Sequence, residues 1–386
     1  MRLGCGLLAC VATLHACLGE EKGTCDAFER FLPSKVTKED ILRREGNAAD
    51  DVDTCERPTR KFEGPVLGYV TPWNGRGYDV AVKHRRKLTH IAPVWFQVVP
   101  GSPPGLRGRH DVDHGWMEKL RQGNAQAPKI VPRFLFEGWS GEQYVALLQS
   151  APAEGSLARS IADILVLECK QQKLDGVLLE VWTQWWAWGL TKHPAAHKAI
   201  VAFVAQLSES LGGSGKLLAL AIPPTVPAHP QYPSFSSHDF RALKPYVDLF
   251  SVMTYDASSP QHPGPNAPLG WVKECMEGLD VEASYANKVL VGLNFYGNEY
   301  GPLGEGRAIL GHEFLTLLQE HRTCQLEWDE DAAEHALTYH VDGREHQAFY
   351  PSEESLSARI NLARSRGSGL AIWELGQGLE SFMALL

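Results

Sequence analysis

Carboxylates and aromatic rings recur together in this chain at the ends of short apolar runs. Tyr69 and Trp73 follow the run Val66–Val70, Glu137 and Trp139 follow Lys129–Phe136, and Glu180 and Trp182 lie at the end of Gly176–Val181. Tyr255 and Asp256 follow Leu249–Met253, Asn294 and Tyr296 lie at the end of Lys288–Phe295, and Trp373 and Glu374 at the end of Gly369–Trp373. Flat aromatic faces stack on the apolar faces of sugar rings, while carboxylates and amides bond sugar hydroxyls. A carboxylic acid among them can also hand a proton to a leaving oxygen. The pattern points to carbohydrate binding, with acid chemistry to be sought among Glu137, Glu180, Asp256 and Glu374. Trp95, inside a run rather than at its end, reads as core.

The elements that must position these residues follow from the runs themselves. Besides those named, Leu88–Val94 and Leu217–Ile222 complete a set of eight, and most are β-rich and apolar on both faces, as parallel strands are. Helix-like segments intervene at Gln143–Gln149, Ser156–Gln172, Pro194–Leu211, Gly270–Leu279 and Ser355–Arg366. This alternation predicts an α/β fold, a (β/α)8 TIM barrel, whose chemistry lies at the C-terminal ends of the strands. A doubly wound open sheet fits less well, because no G-x-G-x-x-G or Walker-type loop follows the first run. Gly301–Tyr350 exceeds one loop and helix; with a helix-like His312–His321 and a hairpin signal at Asp342-Gly343, it predicts a small α+β insertion walling a groove.

Composition sets the outer limits. In 386 residues, 44% are hydrophobic and 22% charged, as in a folded chain. The net charge of −9 argues against nucleic acid or an anionic membrane as main partner, and no internal apolar run reaches the ~18 residues of a membrane span. Arg2, the greasy Leu3–Leu14 and the small Ala16, Cys17 and Gly19 form a secretory signal pattern, with cleavage expected after Gly19. Five cysteines would remain: Cys25, Cys55, Cys169, Cys275 and Cys324. The odd number leaves at least one unpaired within the chain; a local Cys25–Cys55 bridge fits, but spacing does not fix connectivity. His193 and His197, like His110 and His114, are four apart without a third ligand, so neither metal nor cofactor is expected. The charged segment 20–63 reads as a partly ordered arm with helical turns near Lys38–Arg44, and the barrel proper as 64–386.

A family resemblance sharpens this. Leu174-Asp175-Gly176-Val177-Leu178-Leu179-Glu180-Val181-Trp182 resembles the fourth strand of the family-18 glycoside hydrolases, the chitinases, whose pattern is D-x-x-D-x-D-x-E. Met253-Thr254-Tyr255-Asp256 resembles their sixth-strand M-x-Y-D, Gly292-Leu293-Asn294-Phe295-Tyr296-Gly297 their seventh-strand segment, and Ala371-Ile372-Trp373-Glu374 their eighth. The resemblance runs from about Val66 to the end. Its wording is nearest to a chitinase-like member associated with a stabilin-type scavenger or sorting receptor, which implies such a partner. It also implies chito-oligosaccharides as ligands, lipopolysaccharide-type glycans as a weaker extension, and a secreted chain with the lysosome as destination. An innate-immune lectin would fit that setting.

Departures from the pattern decide the expected chemistry. The family's second Asp falls on Leu178, its third on Glu180 and its catalytic Glu on Trp182. In active members, the resemblance implies, that Glu protonates the leaving oxygen while the substrate's own acetamido group attacks, a scheme apart from the usual two-carboxylate one. Alternation would set residues 178, 180 and 182 on one strand face, with Glu180 roughly 6.6 Å too deep to substitute. Loss of a general acid costs about 10²–10⁴ in rate. The expectation is therefore a lectin that is not an enzyme. It would bind through Tyr69, Trp73, Glu137, Trp139, Glu180, Trp182, Tyr255, Asp256, Asn294, Tyr296, Trp373 and Glu374, either with Trp373 as the floor of the innermost subsite or with Trp182 plugging that subsite and binding shifted to outer rings over Trp73, Trp139 and the insertion. Two alternatives stand: a hydrolase with acids relocated to Glu374, Asp256 or Glu137, and a receptor-docking protein with a vestigial groove.

Overall fold

The computed structural model describes residues 36–50, 60–123, 126–151 and 153–386. The expected signal segment, Cys25 and Cys55 lie outside these residues. Eight parallel strands form the centre: Val66–Val70, His90–Pro93 continued by Phe96–Val99, Lys129–Ile130 continued by Arg133–Phe136, Gly176–Glu180, Leu217–Ile222, Leu249–Val252, Val289–Asn294 and Gly369–Trp373. The first strand pairs with both the second and the eighth, placing Leu67 opposite His90 on one side and Ala371 on the other. The second and third strands meet in two pieces, His90 opposite Lys129 and Phe96 opposite Phe134, and so close the ring. Pro93 and Pro132 border the interruptions, where a residue without an N–H cannot continue a ladder.

Alternation divides the side chains into two cores. Leu67, Tyr69, Ala92, Val131, Leu178, Ala219, Leu249, Leu290 and Ala371 form a cluster inside the ring. Their neighbours, such as Val66, Ile91, Ile130, Val177, Leu179, Leu218, Val291 and Leu370, pack outward against the helices. A residue's parity on its strand thus decides whether it can reach the mouth.

Between the seventh and eighth strands, Gly297–Tyr300, Gly306–Ile309, Gln325–Asp329, Glu334–Val341 and Arg344–Phe349 build an antiparallel sheet with the helix Gly311–Glu320. Asp342 and Gly343 make its two-residue turn, both at positive φ, with Val341 opposite Arg344.

The segment before residue 64, read as a partly ordered arm with helical turns near Lys38–Arg44, packs against the barrel where it is described. Lys38–Asp50 is a helix, and Val36, Ile41 and Phe62 are buried. Arg44 pairs with Glu353 and Glu354, while the Glu45 carboxylate accepts the amides of Glu380 and Ser381 at 2.8 and 3.0 Å. The fold therefore extends N-terminally past the expected boundary. Cys169 and Cys275 are buried free thiols, and Cys324 is half-buried and free.

Candidate functional site

The fourth strand stops one residue earlier than its sequence suggests. Glu180 is its last residue, on the inward parity of Leu178, and the Arg133 guanidinium lies 3.1 Å from its carboxylate. A charge inside a barrel needs such a partner. Arg133 was missed in the sequence; its signal is a lone cation at an inward position of an apolar run. At Val181 (φ −151°, ψ −13°) the backbone leaves the extended form and the helix Trp182–Ala187 begins.

That turn removes Trp182 from the mouth. The indole is 1% exposed, sits in the layer between strands and helices, and packs edge-on against Phe235 and Trp185 with ring centroids 4.6 and 6.2 Å away. Its N–H donates to the Ser234 carbonyl at 3.1 Å. Residues 178, 180 and 182 do not share a face, because alternation holds only while the backbone stays extended. Trp182 plugs nothing.

Across the mouth, the sixth and seventh strands supply a second group. Asp256 stands at φ 63°, a left-handed conformation uncommon for a residue with a side chain. Its amide donates to Asn266 Oδ1 at 2.7 Å, and the Tyr296 hydroxyl donates to its carboxylate. Asp256 keeps solvent access at the rim, yet desolvation by surrounding atoms raises its carboxyl pKa, opposed by the Tyr296 hydrogen bond. The Tyr255 ring crosses Gly292, where a Cβ would stand 3.0 Å from Tyr255 Cε1. Burial holds the Tyr255 and Tyr296 hydroxyls well above their ordinary pKa, so both remain neutral donors. Asn294 is buried and gives its amide to the Tyr296 carbonyl at 2.9 Å, so it supports the loop rather than facing a ligand.

The insertion anchors this group from behind. Glu334 accepts the amides of Asn266 and Ala267 at 3.0 and 2.8 Å. Buried Arg359 binds Glu334 at 2.9 Å and also donates to the carbonyls of Ala267, Ala332, Ala333 and Ser355. Glu334, Asn266 and Asp256 are thereby linked in sequence. Desolvation raises the Glu334 carboxyl pKa, with the Arg359 charge opposing it.

The first and eighth strands complete the floor. The Tyr69 hydroxyl donates to Ser251 Oγ across the barrel at 2.9 Å, and the half-buried Trp373 ring lies 5.2 Å from the Tyr69 ring. The Trp373–Glu374 peptide is cis. Glu374 is fully buried, accepts from Asn74 and, at 3.0 Å, from the Gly376 amide, and burial pushes its carboxyl up to about 7. It is closed off from a ligand. Trp139 is likewise buried, with its indole N–H on the Val98 carbonyl at 2.8 Å and its ring against Phe136 and Tyr144. Trp73 is 71% exposed after the first strand, and Glu137 is exposed after the third. The mouth therefore gathers Tyr69, Glu180, Tyr255, Asp256, Tyr296 and Trp373 of the expected residues, and adds Arg133, Ser251 and Asn266.

Known proteins share this fold. A cortical fragment-lytic enzyme of Bacillus anthracis is 27% identical over 172 residues, which span 42% of this chain and 39% of that protein; its Bacillus cereus counterpart is 26% identical over the same shares. The chain thus matches well under half the length of these curated relatives. Among solved structures, the spore cortex-lytic enzyme SleL of Bacillus megaterium superposes with a TM-score of 0.69 at 19% identity, over 85% of this chain and 74% of that one. A chitinase from Chromobacterium violaceum gives 0.68 at 18%, over 83% and 97%. The likeness confirms the barrel fold. The expectation that the chain is not an enzyme is overturned by these names: lytic enzymes and chitinases point to hydrolysis. The sequence profile of glycosyl hydrolases family 18 matches residues 65–378, most of the chain and all eight barrel strands, and the chain belongs to that family.

Proposed function

We propose that the barrel mouth binds oligosaccharides of N-acetylated amino sugars, chito-oligosaccharides first among them, and hydrolyses them with Asp256 as general acid. The observation that carries this reading is the Asp256 carboxyl itself, which keeps solvent access while its pKa is raised, as a proton donor requires. Asn266 and Tyr296 fix its position. Neutral Tyr255 beside it can donate to the acetamido carbonyl of a bound sugar, and Trp373 offers a stacking face. In the scheme the resemblance implies, the acetamido oxygen bonds to the anomeric carbon as the glycosidic C–O bond breaks. Asp256 protonates the departing oxygen, and water then opens the cyclic intermediate. Glu180 is held in place by the Arg133 guanidinium at 3.1 Å. The resemblance also supports a secreted or lysosomal setting and a stabilin-type receptor as protein partner, which co-precipitation from secreting cells would test.

Release of a fluorogenic leaving group from chito-oligosaccharides tests the chemistry. Wild type should turn over, Asp256→Asn should lose about 10²–10⁴ in rate, and Glu374→Gln should retain activity. The rate should fall as pH rises through the raised pKa of Asp256. No turnover by wild type at acid or neutral pH, or full activity in Asp256→Asn, would overturn the assignment.

A further inference from the structure

We propose that His197, His238 and Asp239 form a binding site for a divalent transition metal, Zn²⁺ being the fitting ion, on the flank of the barrel. His197 comes from the helix Pro194–Gly212, and the other two come from the helix Ser237–Leu243. His197 Nε2 lies 2.8 Å from Asp239 Oδ1, and the two imidazole rings are 4.7 Å apart. One ligand atom from each of the three residues falls within 4.8 Å of the others. The amide and hydroxyl of Ser236 hold Asp239 Oδ2 at 2.8 and 2.6 Å, which orients the carboxylate from behind and points Oδ1 at the histidines.

Two imidazole nitrogens and one carboxylate oxygen make a three-ligand zinc set, leaving a fourth position for water. His197 and Asp239 are buried while His238 is exposed, so the ion has both a wall and an entry. Bonds of about 2.0–2.2 Å in tetrahedral geometry need Nε2 and Oδ1 to part to roughly 3.4 Å, a small adjustment, and exposed His238 closes the set by rotating. The spacing of His193 and His197 concealed this grouping. His193 accepts the Ala196 amide at the helix start, and the partners of His197 lie about forty residues later. Ser234 and Phe235, on which Trp182 rests, immediately precede Ser236, so the ion would brace the corner behind the fourth strand. None of this depends on the glycan reading.

The test uses the untagged full chain after chelator treatment and dialysis. Co²⁺ should bind one to one with the visible bands of a four-coordinate site, and Zn²⁺ should displace it. Zn²⁺ at a hundredfold excess over its Kd should raise Tm by about 3–4 °C, and Mg²⁺ should not. His238→Gln should abolish both effects while melting like wild type without metal. The absence of saturable binding, or equal binding by His238→Gln, would overturn the proposal; His197→Gln provides a second check by the same Co²⁺ bands.

Discussion

Replacing Trp182 by alanine separates an indole in the mouth from one in the outer layer. The side chain is 1% exposed and rests on Phe235 and Trp185. Removing a buried tryptophan of this kind costs about 3–5 kcal/mol, the cavity included. The Ser234 carbonyl also loses its donor, a contribution near 1 kcal/mol within that range. With an unfolding entropy of about 2.1 cal/mol/K per residue over the roughly 340 described residues, 4 kcal/mol lowers Tm by about 6 °C. Affinity for a chito-oligosaccharide should stay within about twofold of wild type, because the indole faces the helices. Trp182→Phe should recover about half the stability by keeping a ring against Phe235. Thermal melts by circular dichroism and calorimetric glycan titration read the two quantities separately. Tighter glycan binding with an unchanged Tm would refute the placement and return Trp182 to the mouth.

Trp373→Ala should weaken oligosaccharide binding by ~1–3 kcal/mol, by analogy with bases stacked on aromatic side chains; unchanged affinity in a folded variant would remove Trp373 from the floor. Glu374 carries a pH signature. Its carboxyl is raised from 4.5 to about 7, so its stabilising protonation is complete below the unfolded value and is lost as pH rises through 7. Urea unfolding should register a decline of about 3 kcal/mol over that window, and Glu374→Gln should flatten it. A chain starting at Gly64 loses the burial of Val36, Ile41 and Phe62, each about 1.5–3 kcal/mol. Its Tm should drop by about 6–12 °C, and a melt matching the longer chain would show that the N-terminal helix contributes nothing.

The barrel was legible because each strand is a short β-rich run and each run ends in a turn. Height on the barrel was legible too: residues at run ends do lie near the mouth. Direction was not. Glu374 follows inward-facing Trp373 and turns away, where Asn74 and Gly376 close over it. Trp182 misled because the alternation rule presumes an extended backbone, and Val181 breaks it. Trp139 stands past its strand in a turn, where burial depends on Phe136 and Tyr144 rather than on spacing. Arg133 passed unnoticed because one cation in the interior of an apolar run, with Lys129 at its start, carries no period. Val36, Ile41 and Phe62 passed for the same reason: isolated apolar residues in a charged segment show no stripe, and only their distant partners make them core.

Glu334 reaches from the insertion to the loop that carries Asn266, and Arg359 fastens Glu334 from the helix Glu353–Arg366. Three stretches far apart in the gene therefore behave as one heritable block. A chimera that exchanged residues 297–349 with those of another family member would import a foreign wall and strip the sixth-strand loop of its anchor. The transplantable cassette is larger: it must carry the loop from 256 to 267 and the helix through Arg359. Under the proposed mechanism, exchanging the insertion alone should alter the groove wall and the setting of the carboxyl at position 256 together.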